Sequence, residues 1–136
     1  MRYQDLYIGQ AAEFAKTITE RAIAIFAELT GDFNALHMDE EVAAASRFEG
    51  RIAHGMLTAS LISTMIGMHL PGPGCVYLGQ TLRFTRPVRI GDAVTVRAEV
   101  VELIPERLRA RLATVCRNQQ GETVLEGEAM VMMLEA

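Results

Sequence analysis

Asp32, Asn34 and His37 lie together in Gly31-Asp32-Phe33-Asn34-Ala35-Leu36-His37, where a helical pattern of apolar residues breaks. Reactive groups are commonly carried on loops held by a rigid scaffold. An Asp and a His five residues apart across a turn have the reach to converge on one water molecule, orient it and move protons to and from it. Taken alone, the same turn is also explained by the local side-chain to backbone hydrogen bonds that make Asp and Asn frequent in turns. A second unusual stretch, Arg47-Phe48-Glu49-Gly50-Arg51-Ile52-Ala53-His54-Gly55-Met56-Leu57, follows and leads into the most apolar segment of the chain. His54, beside a helix start, reads as structural. His69, near a helix end, suits the negative pole there without chemistry.

These groups need elements to hold them. From Thr19 to Leu29 the apolar residues Ala22, Ile23, Phe26 and Leu29 recur at helical spacing, Thr19 can cap the start and Gly31 can supply a left-handed stop. A weaker helical stretch runs from Asp39 to Ala45, and Arg47 to Ala53 reads as an irregular loop. Met56 to Leu70, with Gly55 before it and Pro71-Gly72-Pro73-Gly74 after it, has little polar face and reads as a central helix surrounded by protein. Beyond Gly74 the period becomes two. Val94, Val96, Ala98 and Val100 alternate with polar residues, as do Leu108, Ala110 and Leu112, and further strands are expected at Val76 to Phe84 and Thr123 to Leu134. Helices followed by an antiparallel meander give an α+β domain. A curved sheet with one apolar face satisfies itself and an apolar helix by wrapping around it.

The 136 residues, half of them hydrophobic and 22% charged, suit one soluble globular domain spanning 1–136. A net charge of -4 argues against a nucleic-acid reader, which needs a clustered basic surface. Met1 to Gln10 lacks the basic start and apolar run of a secretory signal, and Ser60, Ser63, Thr64 and His69 interrupt the longest apolar segment, so no membrane span and a cytoplasmic location are expected. Cys75 and Cys116 have no second Cys or His at metal-ligand spacing and read as buried free thiols; no metal is expected. Met65, Met68, Met130, Met132 and Met133 read first as core fillers.

Phe26 through His37, Phe-Ala-Glu-Leu-Thr-Gly-Asp-Phe-Asn-Ala-Leu-His, resembles the hydratase motif of the MaoC-like (R)-specific enoyl-CoA hydratases, in which Asp, Asn and His recur at this spacing. Arg51 to Leu57 is similar to the same family's approach to its central helix, and the likeness continues through Tyr77 to Gln80 and Pro87 to Asp92. Ala35 stands where the family usually has proline, which removes rigidity but no reacting group.

The resemblance implies a hot-dog fold, an antiparallel sheet wrapped around a long central helix. It implies hydration of a trans-2-enoyl-CoA to the (3R)-hydroxyacyl-CoA, with Asp32 and His37 as acid and base and no cofactor beyond the CoA of the substrate. The Gly55 N–H would receive the negative charge developing on the thioester oxygen, a role suited to an unpaired first-turn amide at the positive end of a helix. Asn34 would position the loop or the water, Ser63 would support the site's hydrogen bonding, and Ile66 and Val131 would lie near the acyl end. A homodimer pairing through a sheet edge follows from the same resemblance. The alternatives are a dehydratase of (3R)-hydroxyacyl groups on an acyl carrier protein, and a non-catalytic acyl-thioester binding module; the joint presence of Asp32, His37 and Gly55 speaks against the second.

Overall fold

The computed structural model describes residues 1–136. Strand β1 (Ala11–Thr17) is followed by helix α1 (Glu20–Thr30), the short helices α2 (Ala35–Met38) and α3 (Glu40–Ala44), and helix α4 (Gly55–Thr64), which runs on into a wider π-helical turn at Met65–His69. Then come β2 (Cys75–Gln80), β3 (Arg83–Phe84), β4 (Ala93–Ile104), β5 (Arg109–Arg117) and β6 (Thr123–Met133). The strands form one antiparallel sheet in the order β1-β4-β5-β6-β2, with β3 also pairing to β6. This is the α+β hot-dog architecture, with α4 and its π-helical turn as the central helix.

The alternation of β4 and β5 decides which face turns inward. Val94, Val96, Ala98 and Val100 of β4 and Ala110, Leu112 and Cys116 of β5 are fully buried. They pack in one cluster with Ile62, Met65 and Ile66 of the central helix. The outward positions carry charge ladders, among them Arg111 between Glu102 and Glu128 and Arg97 beside Glu13 and Glu99. Polar residues out and apolar residues in is what a one-sided antiparallel sheet requires.

Several expectations change against the structure. The central helix is not enclosed: the sheet covers one side, while Met56, Ser60, Ser63 and Met68 face outward and Met68 is 68% exposed. The expected strand Val76 to Phe84 is two strands, because after a bulge at Tyr77/Gly79 the chain dips until the Thr81 carbonyl sits over Gly127. A Cβ at Gly127 would lie 1.8 Å from that oxygen. Strand β1 was not foreseen, since Ala, Glu and Lys favour strands poorly and its pairing with β4 is a tertiary effect. Cys116 is buried but Cys75 is only half-buried, because Cys75 opens an edge strand. No helix is long and apolar enough to cross a membrane.

Candidate active site

Thr19 caps α1 by accepting from the Ala22 N–H, and Gly31 ends it with φ 80°. The chain therefore leaves α1 sharply and enters a loop built on its own polar side chains. Asp32 Oδ1 accepts from the Asn34 N–H at 3.1 Å, Asn34 Oδ1 accepts from the Leu36 N–H at 3.0 Å, and the Asp32 N–H reaches Thr30 Oγ1 at 3.3 Å. Asn34 thus caps α2, the single turn that carries His37. That turn was missed in the sequence, being too short for a helical period.

His37 Nδ1 lies 2.8 Å from the Ile52 carbonyl. A carbonyl only accepts, so Nδ1 carries the proton and the free lone pair of the neutral ring is on Nε2. Arg51 Nε donates to the His37 carbonyl at 2.6 Å, and the same guanidinium pairs with Glu20 of α1 at 2.8 Å. Both contacts come from the loop that precedes α4, which binds the two unusual stretches of sequence to each other.

His54 is the residue that sequence reasoning set aside. Its side chain is 2% exposed, its Nε2 donates to the Asp32 carbonyl at 3.0 Å, and its ring lies 4.1 Å from that of His37 and 4.8 Å from Phe26. Its Nδ1 has no partner. One ligand-type atom each from Asp32, His37 and His54 falls within a 4.8 Å span. These donor types could hold a divalent cation, and equally a water molecule between a carboxylate and an imidazole. The signal available in the sequence was His54 directly before a helix-initiating glycine.

Gly55 begins α4, so its amide is one of the unpaired first-turn donors at the positive end of the helix. The Phe84 ring lies against it, and a Cβ at Gly55 would come within 2.7 Å of that ring. Two openings meet at Met56. One, of about 350 Å³, runs along the exposed side of α4 past Ser63 to Tyr77 and Leu82. The other, of about 420 Å³, leads from Gly55 past Phe84 and Val88 to Arg47 and Arg86. Ile66 and Val131 are fully buried in the core rather than at either surface, though Val131 is paired with Tyr77 across the sheet.

An antiparallel sheet packed on one central helix, with Asp32, His37 and His54 brought together where that helix begins, is the arrangement of a hot-dog protein with a polar cluster at its helix start. Residues 6–123 match the family described as MaoC like domain, and the chain belongs to that family. It is 53% identical to the 3-hydroxybutyryl-CoA dehydratase of Methylorubrum extorquens, over 95% of this chain and 82% of that one. It is 47% identical to the (R)-specific enoyl-CoA hydratase of Rhodospirillum rubrum, over 96% and 90%. The unliganded R-hydratase PhaJ1 of Pseudomonas aeruginosa has the same fold with a TM-score of 0.93 at 50% identity, covering 99% of this chain and 86% of that one.

Proposed function

We propose that this protein is a hydro-lyase that adds water to trans-2-enoyl-CoA thioesters, giving (3R)-hydroxyacyl-CoA, and catalyses the reverse dehydration. The observation that carries the reading is the convergence of Asp32 and His37 with His54, the residue directly before the first amide of α4, in a chain about half identical to hydratases and dehydratases of this chemistry. Water held between the Asp32 carboxylate and His37 Nε2 attacks C3 as one of them takes its proton. The electron pair of the double bond moves onto the thioester oxygen, where the Gly55 N–H receives the charge, and the enolate collapses by taking a proton at C2. Asn34 holds the turn that presents His37. The acyl chain follows the opening past Ser63 to Tyr77, which pairs with Val131 across the sheet, and in this reading Ile66 and Val131 limit its length from within the core.

The β2 edge of the sheet is open, and Leu78 on it is 42% exposed. A second copy pairing there would satisfy those backbone groups and cover the open side of the central helix, so the working unit in this reading is a homodimer. A substrate carrying CoA, together with two free thiols, fits the cytoplasm.

The test is loss of the enoyl absorbance of trans-2-butenoyl-CoA, with product configuration read by stereospecific dehydrogenases, on protein whose mass in solution has been measured. The expected result is the (3R) product from a dimer, a fall of about 10²–10⁴-fold in kcat for Asp32→Asn, and longer enoyl chains accepted by Ile66→Ala. An (S) product, or full activity in Asp32→Asn, overturns the mechanism. Turnover confined to carrier-protein thioesters replaces CoA as substrate, and a fully active monomer removes the dimer.

A further inference from the structure

Thr114 interrupts the inner row of β5. It is 2% exposed and stands between Leu112 and Cys116, where the other buried side chains of the strand are apolar. A hydroxyl in such a row needs a hydrogen-bond partner. Gln80, at the end of β2, supplies it: its Nε2 donates to Thr114 Oγ1 at 2.9 Å and to the Thr81 carbonyl at 2.9 Å. A carbonyl only accepts, so the orientation of the amide is fixed, and its Oε1 is left to accept from the Tyr77 hydroxyl. Gly127 makes room for the amide, since a Cβ there would lie 3.3 Å from Gln80 Nε2.

This chain of hydrogen bonds ends at the opening that runs along α4. The helix supplies one side of it, from Met56 to Ser63, and Tyr77, Gln80 and Leu82 supply the other. Thr114 does not line it. The surface of the opening is almost wholly apolar, because the polar ends of Tyr77 and Gln80 are turned to each other and to the sheet. Packing alone does not hold Tyr77. The residue is half-buried on the edge strand β2, beside the bulge at Tyr77/Gly79 that interrupts pairing with β6. Burial pushes its hydroxyl up to about 12, so it remains a donor near neutral pH.

We propose that Gln80 is a positioning residue for substrate selection: anchored on Thr114, it holds the Tyr77 ring across the end of the opening and so limits the acyl groups that fit. The assignment rests on the acyl-thioester reading above and goes beyond it, because the limit depends on a polar tie that begins at Thr114, outside the opening. Without that tie the ring can turn out toward the exposed edge of β2, and the apolar opening lengthens by the space it leaves.

The experiment measures kcat/KM for trans-2-butenoyl-CoA and trans-2-octenoyl-CoA in wild type, Tyr77→Phe, Thr114→Val and Thr114→Ser. A single methylene in an apolar pocket changes kcat/KM by about tenfold or more, so the octenoyl to butenoyl ratio is expected to rise about tenfold in Tyr77→Phe and in Thr114→Val, mainly through KM. Thr114→Ser keeps the hydroxyl and should keep the wild-type ratio. An unchanged ratio in either Tyr77→Phe or Thr114→Val, or a ratio that Thr114→Ser alters as much as Thr114→Val does, overturns the proposal and leaves hydration of enoyl-CoA standing. Should Thr114→Val fail to fold, Gln80→Leu takes its place with the same expectation. If wild type turns over neither thioester, calorimetric affinities for butyryl-CoA and octanoyl-CoA decide: a shift of about tenfold toward octanoyl-CoA in the variants supports the tie, whereas an unshifted preference, or wild type that binds neither, overturns it.

Discussion

His54 and Gly55 are adjacent in the chain and do different work. The His54 Nε2–H holds the Asp32 carbonyl, so it fixes the loop from behind while its ring supports that of His37. His54→Phe keeps a ring in the same place and removes the donor. The expected cost is about 1–3 kcal/mol of stability from the orphaned carbonyl, with kcat down about tenfold and KM nearly unchanged; His54→Gln, which can restore a donor, should recover part of kcat. A loss of kcat in His54→Gln as large as that in His54→Phe, or a rise in KM that accounts for the loss of kcat/KM in both, would mean a purely structural role. At Gly55 two effects oppose each other. Alanine favours a helix by up to about 1 kcal/mol, but its Cβ would meet the Phe84 ring at 2.7 Å. Phe84 is 53% exposed on a two-residue strand and can yield. Gly55→Ala is therefore expected to leave the melting temperature nearly unchanged while kcat/KM falls at least about tenfold, and Phe84→Ala in that background to restore part of the activity; a large drop in melting temperature would count against this.

At the scale of elements, the site is assembled from pieces too small to be stable alone. Helix α2 has four residues, and the loop before α4 has little regular structure. Arg51 joins them, since it donates to the His37 carbonyl and pairs with Glu20 at the start of α1. The two contacts are unequal: Arg51 is 11% exposed and Glu20 69%. Arg51→Ala is expected to cost about 1–3 kcal/mol and to lower kcat by loosening His37, while Glu20→Gln should stay within about 1 kcal/mol of wild type with near-normal activity. Denaturant melts of the two variants, run beside activity, check this; comparable losses would place the strength in the ion pair. Arg51→Lys keeps the charge without the fork and should fall between them.

For the molecule as a whole, the buried core leaves a mark on pH dependence. Burial pushes the Cys116 thiol up to about 12 and the Tyr77 hydroxyl up to about 12. In the unfolded chain a thiol ionises near ~8.5 and a phenol near ~10. As pH rises, the unfolded chain loses these protons first, so the folded state binds more protons than the unfolded one. The stabilising share is therefore complete below about pH 8.5 and is lost as pH climbs toward the folded values. Melting temperature should decline above about pH 8.5, and Cys116→Val should flatten the first part of the decline; an equally steep decline in the variant would assign it to other groups.

Much of this was legible in one dimension. Period two in Val94 to Val100 and in Leu108 to Leu112, and helical spacing in Ala22 to Leu29 between Thr19 and Gly31, are local signals, and the structure has β4, β5 and α1 there. The Asp32 to His37 spacing is local too and permits a shared water, while the hydration itself is what the resemblance of Phe26 to His37 and Arg51 to Leu57 implies. Other features depend on partners distant in sequence. Strand β1 exists because β4 pairs with it, and the break between β2 and β3 exists because Gly127 admits the Thr81 carbonyl. His54 meets Asp32 only because the folded chain lays the start of α4 behind the loop. Arg47 and Arg86, 39 residues apart, frame one opening for the same reason. Sequence periodicity determined α1, β4 and β5, and spacing put Asp32 within reach of His37, because those rest on interactions within a turn or a strand. The tertiary structure decided what supports the pair and where the cations gather, because long-range packing, not spacing, brings those groups together.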